Sequence, residues 1–193
     1  MVSRHLIGLV CSLVLSASVE GGVIWSEDFE SGGFTAWSQA DPAWTVVNSA
    51  LSAHSGLRGA DVKGNTAPDD DLLRVVIPTT GYQQLELSYW FKIRDGLEAA
   101  DRVAVEWTAD GLLWQPLASY TALPTGDWQL ASLVLPLGAN NNPLFSLRFV
   151  AGLGTTGDRF NVDDVSLVGI AIPEPTTLLL CLLWGGVRGR VRR

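Results

Sequence analysis

The feature that most restricts the fold of this chain is an alternation of apolar and polar residues over residues 84–94, in which Trp90 is the one apolar residue at a polar position. Successive side chains of a β-strand point to opposite faces of a sheet, so a period of two predicts a strand with one buried and one outward face. The apolar positions are Leu85, Leu87, Tyr89, Phe91 and Ile93. Similar alternation at Val103, Val105 and Trp107, and at Phe145, Leu147 and Phe149, predicts two further half-buried strands.

Short runs of this kind recur along most of the chain, separated by Gly, Pro, Asn and Asp residues that favour turns. No run between the two ends has the period of an amphipathic helix. The predicted strands are Val23–Glu30, Ala43–Asn48, Leu57–Val62, Leu72–Ile77, Gln83–Arg94, Arg102–Ala109, Leu113–Ser119, Trp128–Leu135, Leu144–Val150 and Phe160–Val168. The pattern predicts an all-β fold, a two-sheet antiparallel β-sandwich of the jelly-roll type. Asp110-Gly111 is predicted to form a tight hairpin.

The N-terminal end has a different pattern. A short basic start, Met1 to Arg4, precedes an apolar run, Leu6 to Leu15, and then the small residues Ser16-Ala17-Ser18. This order is typical of a secretory signal, so we expect residues 1–18 to be a signal peptide removed by signal peptidase. The body of the chain is then residues 20–172, which is the length of a single domain.

The C-terminal end carries three features in order: Pro173-Glu174-Pro175, the apolar segment Thr176 to Val187, and an arginine-rich end, residues 188–193. Together they resemble the PEP-CTERM sorting signal of Gram-negative bacteria. The resemblance implies that residues 173–193 form an apolar sorting helix processed by an exosortase, a membrane-embedded cysteine protease. It also implies transient anchoring in the inner membrane, a final place in the cell envelope or outside the cell, and an association with exopolysaccharide and biofilm. The apolar segment is shorter than the roughly 20 residues that a membrane span needs.

Cysteine and charge limit the chemistry of residues 20–172. Cys11 and Cys181 both lie in the ends, so the body has neither a disulfide framework nor a thiolate metal site. Arginines are concentrated in the ends as well, so the body is more acidic than the net charge of −7 for the whole chain. An acidic surface repels phosphate backbones, which argues against nucleic-acid binding, and it favours hard cations such as calcium.

Several short motifs span the body in a fixed order: Asp28-Phe29-Glu30-Ser31-Gly32, Trp37, Ala53-His54-Ser55-Gly56, and the run from Val162 to Leu167. The set resembles carbohydrate-binding modules and MAM-like jelly rolls of the concanavalin-like kind. This resemblance implies a structural calcium ion held by Glu30 and Asp163.

The phase of the last strand makes Asp163 notable for an independent reason. Asp163 alternates with Val165 and Leu167, so it is expected to point inward, and a buried carboxylate needs a partner. One interpretation is a calcium ion shared with Glu30 and with carbonyl groups of the Ser55-Gly56 turn. The other is an aspartate that accepts hydrogen bonds at a β-bulge. The sequence leaves both open.

Trp90 is the candidate ligand-binding residue. It lies on the polar face of its strand with Glu86, Lys92 and Arg94, and an indole ring there can stack on a sugar. The alternative is that a loop or the second sheet covers Trp90.

Catalytic motifs are scarce in the body. His54 is its single histidine, and no Gly-x-Ser-x-Gly sequence is present. Glu86 with Glu106 is left open as a carboxylate pair for glycoside hydrolysis. We therefore predict a noncatalytic, exported surface or matrix protein associated with polysaccharide. The alternatives are a glycan-active hydrolase and a purely structural adhesion protein.

Overall fold

The computed structural model describes residues 21–64 and 70–173. The strands in these ranges are β1 (Gly22–Glu27), β2 (Gln39–Ala40), β3 (Trp44–Asn48), β4 (Arg58–Lys63), β5 (Asp71–Val76), β6 (Tyr82–Arg94), β7 (Arg102–Thr108), β8 (Gln115–Tyr120), β9 (Gln129–Val134), β10 (Ser146–Gly152) and β11 (Arg159–Ala171). A 3₁₀ helix, Leu137–Ala139, precedes β10. Within the described ranges, no helix combines the length and the apolar character needed to cross a membrane. The predicted signal peptide and the sorting segment from Glu174 onward lie outside these ranges.

The strands form two sheets. Sheet A has the order β3-β4-β11-β6-β9, and β1 adds to the far half of β11 beyond β4. Sheet B has the order β2-β5-β10-β7-β8. All pairings within both sheets are antiparallel. This arrangement confirms the predicted all-β, two-sheet antiparallel sandwich.

The core lies between the two sheets, and the alternation in the sequence builds it. The five apolar residues predicted to face inward from β6 are all buried, and so are Val103, Val105 and Trp107 of β7. Tyr89 of sheet A meets Phe149 of sheet B edge to face, with ring centroids 5.2 Å apart. Burial of each such large side chain contributes about 1.5–3 kcal/mol, so this layer holds the two sheets together.

Each predicted strand has a counterpart, and the structure adds β2, which has only two residues and therefore no readable period. The hairpin between β7 and β8 is confirmed, but the prediction that it is tight is wrong, because residues 109–114 connect the strands. Asp110 Oδ1 accepts hydrogen bonds from the N–H groups of Leu112 and Leu113, at 2.8 and 3.0 Å. Gly111 supplies the left-handed backbone, with φ +77°. The carboxylate of Asp110 thus stabilises a wider loop.

Candidate functional site

Asp163 secures the loop between β3 and β4, residues 49–57, which we call the anchored loop. Its side chain is fully buried, and Oδ2 accepts the backbone N–H groups of His54, at 2.7 Å, and Ser55, at 3.1 Å. Its Oδ1 accepts the N–H of Asp164 at 2.8 Å. Asp164 has φ +47°, and the pairing of β11 with β6 shifts register just after Asp163. Asp163 thus accepts hydrogen bonds at a bulge, and calcium binding by the same residue stays a prediction.

Glu30 secures the other end of the anchored loop. Its Oε1 accepts the backbone N–H groups of Leu57 and Arg58, both at 2.7 Å, while Oε2 lies 3.8 Å from Arg58 Nη1. The hydrogen bond from Arg58, followed by that from Leu57, lowers the pKa of Glu30. Burial raises the pKa of Asp163 to about 6. The two predicted metal ligands thus hold the same loop from two sides.

The fit of these two residues to calcium is partial. The anchored loop presents amide N–H groups to both carboxylates, whereas a cation needs carbonyl oxygens there. A carboxylate oxygen has two lone pairs, so Asp163 Oδ1, with one donor, and Glu30 Oε2 can each still serve a cation. A cleft of about 270 Å³ beside the bulge is lined by Ser26, Glu27, Asp28, Asp164, Val165 and Ser166.

Trp90 lies on the outer face of sheet A, as predicted, but one of its ring faces is occupied. The imidazole of His54 stacks on it at 3.9 Å between centroids and 11° between planes. Trp128 meets His54 edge to face at 5.7 Å. His54 Nδ1 lies 2.7 Å from Asp164 Oδ2, and the Ser55 hydroxyl donates to Asp164 rather than to His54. The anchored loop therefore covers part of Trp90. Coverage by a loop is the alternative that the sequence leaves open to an indole ring free to stack on a sugar.

The sequence leaves open that Glu86 and Glu106 act together as a carboxylate pair for hydrolysis, and the structure shows that this is wrong. Glu86 lies in β6 of sheet A, where Ser132 donates a hydrogen bond to it. Glu106 lies in β7 of sheet B and faces away from the core. Because the residues belong to opposite outer faces of the sandwich, they cannot flank one glycosidic bond.

Another polar cluster occupies the outer face of sheet B. Glu106 is buried between two arginines: Arg102 Nη2 lies 2.6 Å from Oε1, and Arg148 Nη2 lies 2.6 Å from Oε2. Arg102 also reaches Asp70 at 2.9 Å. The guanidinium of Arg148 lies over the indole of Trp114, 4.2 Å from the ring centroid. Glu106 thereby fixes Arg148 against a half-buried tryptophan.

Arg74 completes this cluster, which we call the arginine–tryptophan face: Arg74, Arg102, Glu106, Trp114 and Arg148. Arg74 pairs directly with Arg148 across β5 and β10, and its guanidinium lies 5.2 Å from the ring centroid of Trp114. The exposed residues Leu112 and Leu113 flank Trp114 in the β7–β8 connection. The arginine–tryptophan face thus combines an aromatic ring, oriented donors and an apolar edge.

An acidic cluster lies apart from these sites. Carboxylate oxygens of Glu98, Asp101 and Asp158 lie within 4.8 Å of one another. Asp101 accepts the N–H groups of Glu98 and Gly154, and Asp158 accepts both the N–H and the hydroxyl of Thr155. These bonds tie together the connections after β6 and β10, which accounts for the cluster structurally.

Part of the arginine–tryptophan face follows from the alternation in the sequence. Glu106 follows Val105 and Arg148 follows Leu147, so a period of two predicts outward faces for both, and their pairing across β7 and β10 confirms it. The alternation predicts no role for Trp114, which lies in a loop without period, or for Arg74, whose cross-strand neighbour becomes known only from the strand pairing.

Comparison with known proteins supports the fold. No family model and no curated protein matches the sequence. Among solved structures, the module TmCBM61 in complex with β-1,4-galactotriose matches with a TM-score of 0.55 and 18% identity, covering 72% of this chain and 92% of its own. The CBM22-1 xylan-binding domain of Xyn10C from Paenibacillus barcinonensis matches at 0.55 and 14%, with coverages of 81% and 100%. The K1 cleaved adhesin domain of Lys-gingipain from Porphyromonas gingivalis W83 matches at 0.55 and 17%, with coverages of 76% and 98%. The chain therefore shares the β-sandwich fold of carbohydrate-binding modules and cleaved adhesin domains.

Proposed function

We propose that this protein is a noncatalytic polysaccharide-binding protein of the cell surface or extracellular matrix. The observation that carries the proposal is the arginine–tryptophan face on the outer face of one sheet. Arg148 covers part of the half-buried Trp114 indole, and the exposed remainder of the ring lies beside fixed hydrogen-bond donors. The fold neighbours include one module bound to a galactotriose and one described as xylan-binding. They support a role in binding sugar polymers rather than in cleaving them.

The chemistry of the face suits a sugar polymer. The C–H surface of a pyranose ring packs on an indole, while its hydroxyl groups need oriented polar partners. Glu106 holds Arg148 through both Nε and Nη2, at 2.8 and 2.6 Å, so this donor group is ordered before a ligand arrives. Such preorganisation reduces the entropy lost on binding.

Binding to soluble polysaccharides tests the proposal. We expect affinity electrophoresis through gels containing galactan, xylan or host exopolysaccharide to show retardation of the wild type. Trp114→Ala should weaken binding about 5- to 150-fold, because the loss of an aromatic stacking contact costs roughly 1–3 kcal/mol. Melting temperatures of both proteins control for folding.

Trp90→Ala is the matched comparison, because Trp90 lies on the outer face of the other sheet and is the ligand-binding residue predicted from the sequence. If Trp90→Ala lost retardation and Trp114→Ala kept it, the binding surface would lie on sheet A instead. Failure of the wild type to bind any of these polysaccharides would leave a structural adhesion protein, the remaining alternative, as the better account.

We further propose calcium as a structural ion at the anchored loop, held by Glu30 and Asp163. The proposal is supported by the sequence resemblance and by the two carboxylate oxygens that retain acceptor capacity. Binding of calcium to the folded state alone would raise the melting temperature with increasing calcium concentration. We expect EDTA to lower the melting temperature and an excess of calcium, but not of magnesium, to restore it. An unchanged melting temperature would contradict the calcium proposal. The hydrogen bonds alone would then account for how Glu30 and Asp163 hold the anchored loop.

We also propose that the chain is exported by its N-terminal signal and sorted through Pro173, Glu174 and Pro175 by an exosortase. The order of tripeptide, apolar segment and arginine-rich end supports this route. Mass spectrometry of the protein from its host should show loss of residues 1–18 and cleavage near the tripeptide. An intact chain in the cytosol would contradict it.

A further inference from the structure

Arg74 has no counter-charge among the residues that the structure describes. Arg102 and Arg148 share Glu106, but no ion pair or hydrogen bond joins the Arg74 side chain to a carboxylate in the described ranges. Its Nε atom is buried and lacks a hydrogen-bond partner there. A buried charged donor without an acceptor costs free energy. The hydrogen-bonding capacity of the Arg74 side chain is therefore unfilled within the described ranges.

The position of Arg74 increases this cost. Arg74 and Arg148 are directly opposite each other on neighbouring strands, and like charges in such a pair repel. Glu106 cannot neutralise Arg74 as well, because each of its oxygens already binds another arginine. The face therefore carries an excess of positive charge in a chain whose net charge is −7.

The position of the Arg74 guanidinium restricts where a hydrogen-bond acceptor from a ligand can lie. Arg74 Nη2 lies beside Gly111, since a Cβ added to that glycine would sit 3.5 Å from it. The Arg74 guanidinium thus lies between the sheet and the β7–β8 connection, close to the indole of Trp114. An acceptor bound to Arg74 is consequently held next to the aromatic ring.

We infer that the arginine–tryptophan face binds an acidic polysaccharide, with a pyranose ring packed on Trp114. A sugar carboxylate accepts hydrogen bonds from the two Nη groups of Arg74, because its buried Nε is out of reach of a ligand. A carboxylate matches the planar fork of a guanidinium, and the charge-assisted bonds are about twice as strong as neutral ones. The inference rests on the proposed polysaccharide function and specifies the class of sugar as a uronate.

The overall acidity of the chain opposes binding of any long polyanion, so charge attraction to Arg74 alone does not select the ligand; a sugar is favoured because its ring can pack on Trp114 at the same time. A nucleic acid would carry phosphate charges across the acidic surroundings, where repulsion opposes binding. A uronate polymer places single charges on separate rings, so one carboxylate can meet Arg74 while neighbouring rings contact Trp114 and the exposed Leu113. Aromatic contact and the charge pair then act on the same ligand.

Isothermal titration of the purified protein with uronate oligosaccharides tests the inference. The probes are hexasaccharides of galacturonate and of mannuronate, each with its methyl ester, plus neutral galactan and xylan hexasaccharides. We expect the wild type to bind at least one acid about tenfold more tightly than its ester, with a preference that falls as sodium chloride is raised. Arg74→Gln should abolish this preference, because glutamine keeps a polar side chain but carries no positive charge.

Arg94→Gln is the matched control, because it removes the same charge from the outer face of sheet A. Arg74→Lys should retain the preference for the acid only in part, since an ammonium group lacks the guanidinium fork. Should Arg74→Gln fail to fold, Arg74→Lys and the salt dependence of the wild type decide the matter.

The outcomes separate the inference from the proposed function. Binding to neutral glycans or esters as tightly as to the acids would overturn the inference and leave the proposed function standing. A lack of binding to all six probes would overturn both. An acid preference that survives Arg74→Gln, or equal affinity for polyglutamate, would also overturn the inference.

Discussion

The two carboxylates that hold the anchored loop respond to pH in opposite directions. Hydrogen bonds from Arg58 and Leu57 lower the pKa of Glu30, so its contribution to stability is lost as the pH falls. Burial raises the pKa of Asp163 to about 6, so the folded state binds a proton there before the unfolded state does. The contribution of Asp163 to the free energy of unfolding is therefore complete only at pH values below the pKa that this residue has in the unfolded chain. It is lost as the pH rises through about 6, the pKa in the folded state.

A substitution isolates this contribution. We expect the free energy of unfolding of the wild type, minus that of Asp163→Asn, to be larger at about pH 4.5 than at about pH 7, because only the wild type gains stability from proton uptake at residue 163. Urea unfolding in EDTA at both pH values measures the difference, and the Glu30 contribution is common to both proteins. If the free energy of unfolding of the wild type minus that of the variant were smaller at the acid pH, the raised pKa of Asp163 would be contradicted.

At the scale of elements, the anchored loop lies directly on the backbone of β4. A Cβ added to Gly59 would sit 1.9 Å from the carbonyl oxygen of Ser52, closer than any real contact. Glu30 and Asp163 thus hold the loop against a strand that must have glycine at this point. The loop in turn places His54 on Trp90.

Gly59→Ala tests this close packing. We expect it to lower the free energy of unfolding by about 1–3 kcal/mol or more, because backbone rather than a flexible side chain must move. Gly33→Ala is the matched control, since a Cβ there meets nothing within 4 Å. Equal unfolding curves for the two variants in urea would show that the loop does not rest on β4 as described.

Alternation in the sequence predicts faces within a strand, and for this reason the buried residues of β6, β7 and β10 could be identified in advance. It does not say to which sheet a strand belongs. From the sequence, Glu86 with Glu106 therefore stays open as a carboxylate pair, although β6 and β7 lie in different sheets. Asp163 could be predicted as buried from its phase, whereas its partners could not, because residues 54 and 55 are more than 100 positions away.

At the scale of the whole molecule, the two outer faces of the sandwich differ in chemistry. The anchored loop covers part of sheet A around Trp90, and its polar groups are largely satisfied within the chain. The outer face of sheet B instead holds Trp114 among arginines, and no ion pair neutralises Arg74 within the described ranges. The face with the unpaired arginine is the one on which we place the ligand.

Nuclear magnetic resonance of the tryptophan indole N–H groups tests this placement most directly. Addition of a bound oligosaccharide to the ¹⁵N-labelled protein should shift the signal of Trp114 the most, with the signals of Trp90 and Trp128 nearly unchanged. Single substitutions of Trp114, Trp90 and Trp128 assign the three signals. Shifts confined to Trp90 and Trp128 would show that the glycan binds sheet A, and would contradict the account.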